Sequence, residues 1–405
     1  MRCTATRSAG SSCESTELRR NTPSGRGAYR RRRPRLELAI PAADGRLGRV
    51  QQPPCFDRKR CWAVLTIATL LLPAIGCRGR IEDLSACLPE ARPELSLLAL
   101  GDTGDRPKWI SWLDQNREVG RVMAGEQRRR PAAALLLLGD NFYSEGLISH
   151  EAVQRVRHNV VMPYCSFVAT GGPRWAEVAQ ACPVLPAERT PIPIIAVLGN
   201  HDHNTPESPE LQRTLVRQFV SNWDMPSEIA AVRELGHGVS LIVVDSEALD
   251  RGVDPTPLAD ALLAAKGPWR IVVGHHPVGL ADAGFRKALG GAIAATGVEV
   301  QLLLAGHEHN LQIAVAAFPY PSLTAIAGSG SRVRKKTYDV LGSQWLLVRP
   351  GFLRIDLDGD GPAQRLVVSM IETPKNQLDF WSPTRVAGCW AVSVEGQVSG
   401  GPRLP

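Results

Sequence analysis

The chain has 405 residues, 44% of them hydrophobic, enough to bury one large core or two smaller ones. Its formal charge of +7 is concentrated in residues 1–57, which hold 12 Arg, no Lys and 5 acidic residues, whereas residues 58–405 hold 35 bases and 35 acids. Without Arg58, Lys59 and Arg60 the body carries about −3, which excludes a basic face for steering nucleic acid.

Residues 1–57 are rich in Arg, Ser, Pro and Gly, with Arg30–Arg33 in one unbroken run. Such a segment cannot bury a core and reads as disordered. Arg58-Lys59-Arg60 then precedes Cys61–Ile75, an apolar run of about 15 residues and too short for a membrane span of ~20. It ends in Pro73-Ala74-Ile75-Gly76-Cys77. This resembles a bacterial lipoprotein processing site, with Ala74 where leucine is usual and Cys77 as the lipidated first residue. Residues 58–77 therefore read as a signal peptide, and 78–93 as a linker. A signal peptide belongs at a chain's start, so translation is expected to begin near Arg58, and 1–57 not to be made. The expected location is the bacterial envelope, periplasm or outer membrane, with Cys77 the sole membrane attachment.

Four cysteines remain, Cys87, Cys165, Cys182 and Cys389. An even count in an exported chain points to disulfides, and three pairings are possible. Cys165–Cys182 would close a Gly/Pro-containing insertion, and Cys87–Cys389 would tie the two ends together.

From Glu94 the pattern becomes strand, glycine turn, helix. Leu95–Leu100 is an apolar strand, and Pro107–Glu126 a helix with Trp109, Trp112, Leu113, Val119 and Val122 on its core face. Ala132–Leu138 is a second strand and His150–Val161 a second helix. Residues 162–191 are irregular. Ile192–Leu198 is a strand, and Thr205–Trp223 is helical. Gly238–Val244 and Trp269–Val273 are strands around a helix at Pro257–Lys266. Ala281–Thr296 is helical, and Val300–Ala305 is a strand. Short strands follow at Gln312–Phe318, Ser322–Ala327, Trp345–Val348, Phe352–Leu357 and Arg365–Glu372. Asp356–Gly361 begins like a calcium loop, but Val367 stands where such a loop needs glutamate and no helices flank it, so it reads as a hairpin turn. The catalytic domain is assigned to 94–375, and 376–405 to a C-terminal surface segment with little pattern.

Five of the apolar runs end alike. They stop at Gly101-Asp102-Thr103-Gly104, Gly139-Asp140-Asn141-Phe142-Tyr143, Gly199-Asn200-His201-Asp202, Gly274-His275-His276-Pro277 and Gly306-His307-Glu308-His309. In α/β sheets, ligands sit at such carboxyl ends. The side chains delivered form an oxygen and nitrogen donor set for two cations. In this order the motifs resemble the calcineurin-like metallophosphoesterases, and more narrowly the purple acid phosphatases, over Glu94 to Thr373.

That resemblance implies an α/β fold, a four-layer α-β-β-α sandwich with two mixed sheets and the site at their edge. It implies that Asp140 bridges two metals. Asp102, Tyr143 and His309 would complete one site, and Asn200, His275 and His307 the other. Gly104 stands where most of the superfamily has histidine. Losing that imidazole and gaining the Tyr143 phenolate favours Fe(III) in the first site, with Fe(II), Zn(II) or Mn(II) in the second. His201 would face the substrate and protonate the leaving group, with Asp202 orienting it. His203 and His276 are further candidates for substrate contact. Val278–Phe285, where the animal-type enzymes place another substrate-facing histidine, contains none.

The function so implied is acid phosphatase-like hydrolysis of phosphate monoesters by a metal hydroxide. The alternatives are a phosphodiesterase on the same site and a surface binding protein that keeps the fold without turnover.

Overall fold

The computed structural model describes Cys87 and residues 93–403, apart from 107, 109, 280 and 336–338. The expected basic segment, the signal peptide with Cys77, and the linker between Cys77 and Pro93 lie outside the described residues, Cys87 and Pro93 excepted.

In chain order the strands are β1 (Leu95–Leu100), β2 (Ala134–Leu137), β3 (Ile194–Ala196), β4 (Trp223–Asp224) and β5 (Ala230–Glu234). Then come β6 (Val239–Val244), β7 (Trp269–Val273), β8 (Leu302–Ala305), β9 (Leu311–Val315) and β10 (Leu323–Ala327). The last are β11 (Ser343–Leu347), β12 (Gly351–Asp358), β13 (Arg365–Glu372), β14 (Arg385–Ser393) and β15 (Val398–Pro402). One sheet has eight strands in the order β15-β14-β13-β12-β1-β2-β3-β4, and the other seven in the order β11-β9-β10-β8-β7-β6-β5. Both sheets are mixed: in the eight-stranded sheet β1 to β4 run parallel at one end and β12 to β15 join antiparallel at the other, while the seven-stranded sheet has a parallel centre, β6-β7-β8-β10, with antiparallel flanks.

Alternation along each strand assigns its two faces. Leu97 and Ala99 of β1 meet Leu241, Ile271 and Leu304 of the opposite sheet in a shared core. Leu98 and Leu100 face outward, onto Val119 and Met123 of helix α1 (Gln115–Arg129) and onto Phe219. On the far side, Ile242, Val272 and Leu303 pack against Leu258 and Leu262 of α2 (Thr256–Ala264), and Phe285 and Ile293 of α3 (Ala283–Thr296). The result is four layers, helix on sheet on sheet on helix. A strand covered on both faces can be apolar throughout, which is why the runs read as continuous rather than alternating.

Three expectations need correction. The helix expected from Pro107 starts at Gln115, where the Asp114 carboxylate accepts from the backbone N–H of Asn116 and Arg117 and caps it. Trp112, expected in the core, is therefore outside α1 and 53% exposed; Trp109 lies outside the described residues. The tail expected to wrap the surface instead adds β14 and β15 to the eight-stranded sheet, burying Trp390 and Val392 between the sheets.

Both expected disulfides are present, Cys87–Cys389 with Cα atoms 5.9 Å apart and Cys165–Cys182 with 5.1 Å. The segment 356–361 ends β12 and opens the turn into β13, with Gly359 at φ +83°.

Candidate metal centre

The five glycine turns follow β1, β2, β3, β7 and β8, so their side chains converge at one edge of the sandwich. Three of these residues pay a conformational cost to point there. Asp102, Asp140 and His307 adopt φ of 59°, 53° and 66°, a left-handed region costing about 1–3 kcal/mol for residues other than glycine. Surrounding hydrogen bonds hold them. Asp102 donates its N–H to Gly139 O and accepts at O from Ser331, and the Asp140 carboxylate accepts from His201 N at 2.9 Å.

The donor atoms fall into two groups. In the first, the Tyr143 hydroxyl lies 2.6 Å from Asp102 Oδ1 and 3.2 Å from His309 Nε2, and His309 Nε2 is 3.1 Å from Asp102 Oδ1. In the second, Asn200 Oδ1, His275 Nε2 and His307 Nδ1 lie 3.1–3.2 Å from one another. Asp140 stands between the groups. Its Oδ2 is 3.5 Å from His275 Nε2, and its charge also acts on Tyr143. Oxygen and nitrogen donors of Asp102, Asp140 and His275 all lie within 4.8 Å of one another.

The chemistry of these atoms fits cations. His275 Nδ1 faces the Leu138 carbonyl at 2.8 Å, and a carbonyl only accepts, so the ring proton sits on Nδ1. Nε2 is then the nitrogen turned to Asn200 Oδ1 and the Asp140 carboxylate, and the two carboxylates nearby favour positive charge at this point, whether a ring proton or a bound cation. Burial, and then the neighbouring His275 charge, hold the His307 imidazole down at about 3, so its lone pair is available at neutral pH. Asp102 is fully buried, which alone would raise its carboxyl. The His309 charge and hydrogen bond, with smaller help from His275 and Tyr143, outweigh that and leave it at about 2.

The predicted accessory residues behave differently from one another. His201 packs edge-on against the Tyr143 ring at 4.6 Å, and its Nδ1 donates to Ser144 O at 2.8 Å, so Nε2 is the free nitrogen. Asp202 does not orient it. The buried Asp202 carboxylate accepts from the backbone of Gly199, Asn141 and Phe142 and from the Gln212 side chain at 2.8–3.1 Å, stapling the β3 turn to the β2 turn. Burial, and then the Asp140 charge, push Asp202 up to about 6 against those donors. His203 Nε2 lies 3.0 Å from Asp245, which holds it to the neighbouring loop. His276 is buried, with Nδ1 3.0 Å from Ser246 Oγ and Nε2 3.3 Å from Glu247. It backs the His307 ring at 4.6 Å and does not open to solvent as a substrate contact would.

Gly104 gains a packing explanation. A Cβ there would lie 2.5 Å from Phe142 N and 2.7 Å from Asp140 O. The loop carrying Tyr143 rests on this glycine, and Tyr143 N donates to Gly104 O. A side chain at 104 and this placement of Tyr143 exclude each other. Gly199 has a similar constraint, since its Cβ would lie 2.3 Å from Asp140 Oδ1.

Two residues at the site carry no motif signal. Arg155 is buried and donates to Tyr143 O and Gly104 O, both at 2.7 Å, clamping the Tyr143 loop. Burial pulls its guanidinium down to about 10. Asp282 lies in the segment without a histidine, 3.8 Å from His307 Nε2. Burial and the Asp250 charge raise it to about 6. Sequence periodicity places both on helices or their caps and says nothing of their direction.

A four-layer sandwich gathering carboxylate, phenol, amide and imidazole donors from five strand ends is the architecture of the metallophosphoesterases. Residues 95–311 match the calcineurin-like phosphoesterase family, and the chain belongs to it. It is a metal-dependent phosphoric ester hydrolase. It is 26% identical over 280 residues to the tartrate-resistant acid phosphatase type 5 of Sus scrofa, spanning 62% of this chain and 74% of that protein. Its fold is similar to that of PhoD, with a TM-score of 0.50 and 12% identity over 77% of this chain and 73% of that one. The purple acid phosphatase of yellow lupin (Lupinus luteus) seeds gives a TM-score of 0.47 and 13% identity, covering 74% and 53%.

Proposed function

We propose that the protein is an acid phosphatase-like enzyme cleaving phosphate monoesters with two metal ions. The observation that carries this is the division of seven donors into two groups sharing Asp140. Asp102, Tyr143 and His309 would hold Fe(III), for which a phenolate is a strong hard donor. Asn200, His275 and His307 would hold Fe(II), Zn(II) or Mn(II). When bound, such ions supply positive charge for the phosphate oxygens and activate a water near neutral pH. The chain's own contribution is positioning and proton transfer. His201, with its ring fixed by Ser144 O and Nε2 free, delivers a proton to the departing alkoxide. Asp202 and Arg155 keep the two turns that frame it in place.

The test compares p-nitrophenyl phosphate with its bis-ester between pH 4 and 9. The monoester is expected to turn over faster, by at least about tenfold in kcat/KM, on the acid side. A strong preference for the bis-ester would make the enzyme a diesterase. Metal-replete protein inactive on both would favour a binding role.

We also infer export and lipid anchoring at Cys77. Two disulfides support an oxidising compartment. Mass spectrometry of the isolated protein is expected to find a lipidated Cys77 at the N-terminus. A peptide from residues 1–49 would refute the late start.

A further inference from the structure

The glycine-serine loop after β10 is built into the floor of the site. Gly330 N donates to Gly101 O at 3.1 Å, and Ser331 N donates to Asp102 O at 2.9 Å. A Cβ on Gly328 would lie 2.7 Å from Asp102 Oδ2, and one on Gly330 2.6 Å from Gly101 O. The loop is thus seated by backbone bonds in a space that only glycine fits at these two positions, and it brings Arg332 to the rim. The Arg332 guanidinium lies over the Tyr143 ring, 4.5 Å from its centroid. The same ring carries the imidazole of His201. Asp105 pairs with Nη2 of Arg332, while Nε is buried without a hydrogen-bond partner. A buried, unmatched guanidinium N–H beside the first donor group is costly unless something accepts from it.

We propose that Arg332 is a substrate-binding, specificity-determining cation that takes an oxygen of the phosphate group, favouring the dianion of a monoester over the monoanion of a diester. This rests on the phosphomonoesterase reading and deepens it. A guanidinium presents several N–H donors in a fixed fork suited to phosphate oxygens. Attraction scales with the charge of its partner, so an added cation favours a dianion over a monoanion. Val278–Phe285 brings no basic side chain to the His307 side of the site, and its Asp282 is acidic, so Arg332 on the Tyr143 side is a cation placed to meet a phosphate oxygen.

The test is calorimetric binding of inorganic phosphate to the metal-loaded protein, with Arg332→Gln and Arg332→Met. Methionine keeps an unbranched side chain over the Tyr143 ring without the charge. Both variants are expected to weaken phosphate binding by about tenfold to a hundredfold. Metal content and any visible absorption band should stay as in the wild type. In turnover, loss should fall mainly on KM, and more on p-nitrophenyl phosphate than on its bis-ester. Wild-type phosphate affinity in either variant overturns the proposal. So does a weakened affinity accompanied by metal loss or a shifted band, since Arg332 would then be holding Tyr143 rather than phosphate. Phosphate binding through Arg332 without turnover of any ester would sink the proposed activity and leave this site standing.

Discussion

Asp140→Asn is expected to lower phosphate monoester turnover by about a thousandfold or more with the fold intact. The oxygen of the introduced amide could still accept from His201 N. Its amide nitrogen, however, would stand where Asp140 Oδ2 faces His275 Nε2, and it offers neither a charge nor a second acceptor there. One shared anion between two donor groups would be gone, and protein-bound metal should fall from two ions per chain toward one. Metal analysis beside turnover checks both. Two retained ions with wild-type turnover would end the bridging role.

The same substitution should act with opposite sign on the metal-free protein. There no metal ion offsets the Asp140 charge, which helps raise Asp202 to about 6, from an ordinary 3.8. A carboxyl raised on folding favours the protonated native state, so its stabilising effect is present below about pH 4 and lost as pH rises through about 6. Removing the Asp140 charge should flatten that loss. The melting temperature of metal-free Asp140→Asn is expected to exceed that of the metal-free wild type at pH 7, and the gain should shrink toward pH 4, where Asp202 is protonated in both and the lost attraction between Asp140 and His275 counts against the variant. Loss in one assay and gain in the other separates a functional defect from misfolding.

The fold and the donor groups are legible from residues 95 to 372 because strands buried on both faces are apolar throughout. A glycine at each run's end marks where the chain must turn. Those signals are local. The tail escapes them because β14 is flanked by a polar loop, and its pairing with β13 is a tertiary fact. Trp112 is misplaced by periodicity because helical spacing continues through Asp114, whose capping role outweighs it. Roles set by direction are least legible. Asp202 follows His201 in the chain, yet its carboxylate turns back to the β2 loop. His276 sits beside a ligand candidate yet lies buried against Ser246 and Glu247. Arg155 and Arg332 belong to no motif, and only the folded chain brings them to Tyr143.

Tyr143→Phe should abolish a visible charge-transfer band while leaving the protein folded. Phenylalanine keeps the ring that packs against His201 and lies under Arg332, and it keeps the backbone groups that bond Gly104 and Arg155. It removes only the hydroxyl, which touches Asp102 Oδ1 and His309 Nε2. In the metal-free protein, burial and then the Asp102 and Asp140 charges push that phenol well above its ordinary range. It therefore stays protonated at every working pH until a cation offsets those two carboxylates. A phenolate-to-iron band thus reports three things together: a metal in the first donor group, its trivalent charge, and the oxygen of Tyr143. Iron-loaded wild type is expected to be coloured, and zinc-only protein colourless. A band surviving in Tyr143→Phe would put a different phenolate on the iron. Tyr164, another tyrosine buried near this turn, bonds Asn116 on the helical side and would have to leave that partner to serve. A colourless iron-loaded wild type would instead remove the phenolate from the metal altogether, and with it the reason to treat Gly104 and Tyr143 as one exchange.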